Sequence, residues 1–261
     1  MQCYLIPQPR ITLVYVHAAA YPNQQGLAQR FVDTYHANPP GRDHESVIVL
    51  NGGGNQSALF DSLPRVRYVT RPDQGWDIGA YLHVALSMTD GVMLCFGGNS
   101  HFARPGWMNR VSEAWIKYGP GFYGTFATYE VAPHINTTGF WCSPQILNSY
   151  GTLVISKQDR YEFEHGYNAM WRMCMRSGWP AKLVTWDGEY DWHQWRVPSN
   201  IYRRGDQSNC LFRFNHTDNY QNADEPTKRY MESLADQLHD PAFILMRGLP
   251  NKGIRSEAAV A

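Results

Sequence analysis

Four short β-type runs, residues 11–16, 46–50, 66–70 and 91–96, recur through the first hundred residues, and the text between them follows a different period. The first, second and fourth are continuous apolar stretches, the pattern of strands covered on both faces rather than on one. Between the first two, Leu27, Ala28, Phe31, Val32 and Tyr35 fall at helical spacing until Asn38-Pro39-Pro40-Gly41 stops them. Residues 57–63 make a shorter helical stretch, and Ile78, Tyr81, Leu82, Ala85 and Leu86 form one face of a third helix. This alternation of strand and helix predicts an α/β fold with a doubly wound, mostly parallel sheet and helices on both faces.

In such a sheet, ligands bind outside the carboxyl ends of the strands. Those ends carry His17-Ala18-Ala19-Ala20, Asn51-Gly52-Gly53-Gly54, Arg71-Pro72-Asp73-Gln74-Gly75-Trp76-Asp77 and Gly97-Gly98-Asn99-Ser100. The alanines leave room above the first strand, and three successive glycines permit either close backbone approach or a sharp turn. The third loop opens directly into a helix, whose N-terminal N–H groups favour an anionic or nucleotide ligand.

The later half is less periodic. A helix over 107–118, a strand over 122–126, a helix over 159–177 closed by Gly178-Trp179-Pro180, and a strand over 182–186 are expected. Residues 187–222, rich in Trp, Tyr, Arg, His and Asn, read as loops folding over one end of the sheet, and 225–238 as an amphipathic terminal helix. A chain of 261 residues accommodates all of this as one domain, 1–245, followed by a polar, flexible tail over 246–261.

Composition narrows the function. A formal net charge of zero offers no global field to hold a polyanion, so nucleic acid is not an expected partner. No apolar run reaches 18 residues and residues 1–10 lack a signal-peptide pattern, so no transmembrane segment is expected. Five scattered cysteines without a C-x-x-C read as reduced thiols, which together with the missing signal points to a cytoplasmic protein. The 9 Trp and 16 Tyr residues serve a core and also stack well on sugar rings and bases.

Three motifs carry a family resemblance. Gly75-Trp76-Asp77-Ile78-Gly79-Ala80 resembles the G-x-D-x-G-A motif of GT-A-fold glycosyltransferases, in particular family 2-like enzymes and relatives of rhamnan synthesis protein F. Asn99-Ser100 stands where those families keep an aspartate-rich or Asn-Asp-Ser signature, and Tyr161-Glu162-Phe163-Glu164-His165-Gly166 resembles the acidic motif that supplies the base of inverting members. The likeness spans roughly residues 11–190. It implies a GT-A-like, Rossmann-like fold with a nucleotide-sugar-binding half (11–126), an acceptor and catalytic half (127–222) and a terminal helix (223–245). The expected partners are a nucleotide-diphosphate sugar as donor and a glycan or other hydroxyl as acceptor.

Inverting transfer needs a carboxylate to take the acceptor proton and a means of stabilising the departing nucleotide. Glu164 is the first candidate for the base. On a continuous helix it opposes Glu162 and shares its face with Asn168 and Trp171. Asp187, with Glu189 and Asp191, forms a reserve acidic cluster that reads equally as an exposed turn. For the donor, Asp77 either accepts from sugar hydroxyls or caps its helix; Asn99 and Ser100 either orient the diphosphate or form a turn. His17, Asn51, Arg71, Gly75 and Gly79 share the same strand-end edge. Arg203, Arg204 and His216 are candidates to offset diphosphate charge, and Thr138 and Trp141 to line the acceptor pocket, with a core position the alternative for Trp141. A divalent ion (Mn or Mg) would need hard oxygen ligands, and no D-x-D is present: the text there is Gly98-Asn99-Ser100-His101. A catalytically silent binding module of the same fold is the alternative reading.

Overall fold

The computed structural model describes residues 8–53, 58–196 and 203–235. Strand β1 (Ile11–Ala18) leads through helix α1 (Gln24–Ala37) to β2 (Glu45–Asn51), and a 3-10 turn (Ala58–Ser62) leads to β3 (Val66–Arg71). Helix α2 (Trp76–Leu86), β4 (Val92–Phe96), α3 (Trp107–Tyr118) and β5 (Phe122–Gly124) follow. The strands β6 (Ala127–Thr128) and β7 (His134–Ile135) pair as a separate small ribbon ahead of β8 (Gly139–Cys142). Helices α4 (Pro144–Asn148), α5 (Lys157–His165) and α6 (Met170–Arg176) then precede β9 (Ala181–Val184), β10 (Glu189–Tyr190), α7 (Asn215–Asn222) and α8 (Glu225–Ala235). The proposed tail, 246–261, lies outside the described residues.

The main sheet has eight strands in the order β10-β9-β5-β8-β4-β1-β2-β3. Strands β3, β2, β1 and β4 are mutually parallel, as are β5 and β9, while β8 and β10 run against their neighbours. This is the mixed, mostly parallel α/β sheet expected from the alternation of runs. Alternate residues of β1 feed two cores. Val14 and Val16 pack with Ile78, Tyr81, Phe140 and Trp171 on one face, whereas Leu13 and Tyr15 pack with Phe31, Phe96, Trp107 and Trp141 on the other.

The later half departs from the sequence reading in three places. The four residues of β8, all buried, carry no recognisable strand run, yet they bridge the two parallel blocks. Their close packing needs glycine: a Cβ on Gly139 would lie 2.4 Å from the Phe212 ring, and one on neighbouring Gly124 2.2 Å from Ile135. The single helix expected over 159–177 is two, because the chain turns extended at Gly166 and resumes helix only at Met170. A Ser156–Asp159 capping box, whose side chains satisfy each other's N–H groups, starts the first of them at Lys157. Residues 187–222 are not all loop, since they contain β10 and α7.

Candidate functional site

From β1 the chain winds outward through β2 and β3, then returns to lay β4 against the other side of β1. Loops leaving β1 and β4 therefore part in opposite directions, and a crevice opens above their carboxyl ends. A cavity of ≈ 210 Å³ occupies this crevice. Val16, Ala18, Tyr21 and Gln24 line it from β1 and the start of α1, and Trp76 and Asp77 from the first turn of α2. Gly97, Gly98 and Asn99 line it from the end of β4; Thr138, Arg160, Asn215 and His216 close it from the later half.

Each wall is braced from behind. The Tyr15 hydroxyl donates to the Gly98 carbonyl at 3.0 Å and receives Gln24 Nε2 at 3.3 Å, fixing the glycine pair over β1. Arg30 donates to the Asn99 carbonyl at 3.0 Å while its other terminal nitrogen holds Asp218 at 2.6 Å, so the β4 loop and α7 are tied together. The Thr138 carbonyl accepts from Gly97 N at 2.9 Å and Ser100 Oγ at 3.1 Å.

Asp77 and Arg160 face one another across the cleft, Nε to Oδ1 at 3.6 Å, an ion pair too long for a hydrogen bond. Asp77 also accepts from the N–H of Ile78. The Asp77 charge is the main reason the Arg160 guanidinium is held above its ordinary range despite burial. Burial, reinforced by the nearby Arg203 charge, instead holds His216 below the ordinary imidazole range, so it is neutral at pH 7.

Of the residues singled out in the sequence, Asp77, Asn99, Thr138 and His216 meet in this one cavity. Glu164 stands behind it. Its Oε1 accepts from the Thr137 N–H and hydroxyl, both at 3.0 Å, and Oε2 faces His165 Nε2 at 3.4 Å. Burial pushes this carboxyl up, but His165 and the Arg160 charge outweigh it and hold the carboxyl well below the usual range. Its face of α5 is shared with Arg160, one turn earlier, not with Asn168 and Trp171. The break at Gly166 separates those residues from α5; Asn168 accepts from Arg176, and Trp171 is buried in the core. Glu162 points elsewhere, accepting from Gln158.

The remaining candidates lie outside the lining. His17 alternates away from Val16 and Ala18 and packs edge-on against Phe60 at 5.6 Å. Asn51 and Arg71 bond one another at 2.6 Å and brace the β3–α2 turn: Asn51 Nδ2 donates to Asp73 and to the Trp76 carbonyl, Arg71 to the Gln74 carbonyl. Gly75 and Gly79 serve packing of that turn. A Cβ on Gly75 would lie 1.8 Å from the Val154 carbonyl oxygen, and one on Gly79 2.4 Å from that of Gln74. Ser100 is buried beneath the site, and Trp141 is core, stacked on Tyr123. Asp187 accepts from Thr185, Tyr190 and Asn209 at a separate opening lined by Arg104, Trp186 and Arg213. Arg204 donates to the Arg196 carbonyl, and Arg203 pairs with Glu130. Tyr21, Gln24, Trp76, Arg160 and Asn215 were missed as site residues. Trp76 stands unassigned inside the Gly75-to-Ala80 motif, and Arg160 lies four residues before Glu164, at the spacing that puts two side chains on one helix face.

The donor set does not fit a D-x-D-type ion. Among the described residues lining the cleft, Asp77 is the one carboxylate, and it already faces Arg160. Three groups that could converge on a metal, His134, Glu164 and His165, have ligand atoms within 4.8 Å of one another behind Thr137. Their hydrogen bonds satisfy one another. The Ala132 carbonyl, 2.8 Å from His134 Nδ1, fixes a proton there; His165 Nδ1, at 3.1 Å, shares it as acceptor, which leaves the His165 Nε2–H for Glu164. Among the described residues no helix is long and apolar enough to cross a membrane.

No family model and no curated protein matches this sequence. By structure the chain is similar to HddC from Yersinia pseudotuberculosis, with 10% identity and a TM-score of 0.39 over 59% of this chain and 83% of that one. So remote a likeness carries no argument about chemistry, which rests on the cleft itself.

Proposed function

We propose that this protein binds a nucleotide-diphosphate sugar in the β1/β4 crevice and transfers the sugar to a hydroxyl acceptor. The observation that carries the reading is the convergence of Asp77, Asn99 and Thr138, from separate stretches of sequence, on one cavity at the point where the strand order reverses. Asp77 and Asn99 supply acceptor groups for ribose or sugar hydroxyls. Arg160 and the N-terminus of the 11-residue α2 supply the positive field for the diphosphate, the task a metal performs elsewhere. The neutral His216 imidazole, which lines the cleft, is assigned the acceptor proton; Glu164, locked to Thr137, positions the loop that carries Thr138.

Calorimetric titration with UDP-, GDP-, TDP- and ADP-sugars tests the reading directly. At least one binds the wild type, and Arg160→Ala weakens it by about two orders of magnitude, the scale of losing a charge-assisted contact. Affinity that survives this substitution unchanged counts against the diphosphate assignment. Because the cation is a side chain, exhaustive chelation leaves affinity unchanged; loss on chelation, with recovery on adding manganese, overturns the metal-free arrangement.

The place of Glu164, tied to Thr137 behind the cleft, favours a second reading, binding without turnover, since the carboxylate expected as base does not face the cavity. Release of nucleoside diphosphate in the presence of an acceptor separates the two. An enzyme shows it and loses it in His216→Gln with donor affinity kept; a binder never shows it.

A further inference from the structure

We propose that the Trp76 indole is the stacking surface for the donor's nucleobase, an assignment that rests on the nucleotide-sugar reading above. Trp76 opens α2 with φ at +50°, directly after Gly75 at +70°. A bulky aromatic residue is rarely found in the left-handed region, because its Cβ crowds the following carbonyl. Such a conformation persists only where the surroundings impose it, and here they do. Asn51 Nδ2 donates to the Trp76 carbonyl at 3.0 Å and to Asp73 at 2.8 Å, and Arg71 holds Asn51 Oδ1 at 2.6 Å and the Gln74 carbonyl at 2.7 Å. The polar groups at the ends of β2 and β3 thus act on the ligand through Trp76.

The side chain so positioned is not buried. It is 41% exposed, and with Tyr21 at 46% it is one of two exposed residues lining the cleft. Among the described residues its indole meets no other aromatic ring. An indole held in solvent by a strained backbone forgoes both burial and relaxation, which is the signature of a surface kept for a ligand. The less exposed lining holds the groups that read hydroxyls and phosphate: Asp77, Asn99, Thr138 and Arg160. A flat π face stacks on a base or on a sugar ring; with the hydroxyl- and phosphate-reading groups in the less exposed lining, the base is the ring left to the rim.

Titration of wild type, Trp76→Ala, Trp76→Phe and Trp76→Asn with a nucleoside diphosphate, its nucleotide sugar and inorganic pyrophosphate tests this. Trp76→Ala weakens the diphosphate and the nucleotide sugar by the same factor, at least about tenfold, and leaves pyrophosphate unchanged. Trp76→Phe stays close to wild type. Trp76→Asn tolerates the left-handed backbone, so its melting temperature matches or exceeds wild type while its affinity falls with that of Trp76→Ala. Weakening of pyrophosphate to the same extent, or of the sugar-bearing ligand alone, overturns the assignment, as does wild-type affinity in Trp76→Ala. If the wild type binds no nucleotide at all, the donor reading itself has failed and the base assignment falls with it.

Discussion

Gly75→Ala unfolds far more readily than the wild type and loses the nucleotide-sugar affinity proposed for the cleft. The added Cβ would sit 1.8 Å from the Val154 carbonyl oxygen, a backbone atom that cannot swing aside, at a φ of +70° that already disfavours any side chain. Left-handed strain and overpacking together cost about 2–5 kcal/mol, a large fraction of the stability of a single domain. Relief requires the first turn of α2 to move away from the 153–155 segment, and that turn carries Trp76 and Asp77 into the cleft. Urea unfolding reads the stability loss, and titration of the fraction still folded reads the affinity. Wild-type values in both would refute this packing. A loss of affinity alone would mean that the glycine touches the ligand.

Stability falls steeply as the solution is acidified from neutrality, and His134 and Glu164 are the main cause. Burial, reinforced by His165, pushes the His134 imidazole down to about 3, so it stays neutral in the folded protein while its unfolded counterpart takes a proton near pH 6.5. A depressed folded value means that the unfolded chain binds more protons as pH drops, so the contribution present above pH 6.5 is lost progressively below it. For a side chain only 3% exposed the loss reaches about 4 kcal/mol by the acid end of that window. The Glu164 carboxyl is likewise depressed, and its contribution, complete above about pH 4.3, disappears below it. Urea midpoints measured from pH 7.5 to 3.5 show both limbs. His134→Asn, which keeps an N–H for the Ala132 carbonyl, flattens the upper limb, and Glu164→Gln flattens the lower one. His44, also held low by burial, leaves a residual slope in His134→Asn. A midpoint that is flat from pH 7 to 5 in the wild type is incompatible with a neutral, buried His134.

The parallel half was legible because its signals are local. Continuous apolar, β-branched runs of five or six residues are too short for a buried helix and fit strands covered on both faces, and five apolar residues at helical spacing make the one buried face of α1. The runs expected at 11–16, 46–50 and 66–70 gained one or two residues at their ends, as β1, β2 and β3, and nothing more changed. The antiparallel β8 was not legible. Four residues do not establish a period, and what makes Gly139 to Cys142 a strand is the pair of neighbours, β4 and β5, already waiting on either side.

The site divides in the same way. Sequence determined that the carboxyl ends of the first four strands would gather at one edge, because a right-handed β-α-β alternation leaves no other arrangement, and Asp77 and Asn99 share a cavity for that reason. Tertiary structure decided which side chains face it. On a strand, one residue of register turns His17 away and Val16 in; on α5, four residues separate Arg160, in the cleft, from Glu164, tied to Thr137 behind it. Position in the sequence does not separate the members of either pair. What tells them apart is contact with partners tens of residues away in the chain, such as Thr137 and Asp77, which only folding brings near.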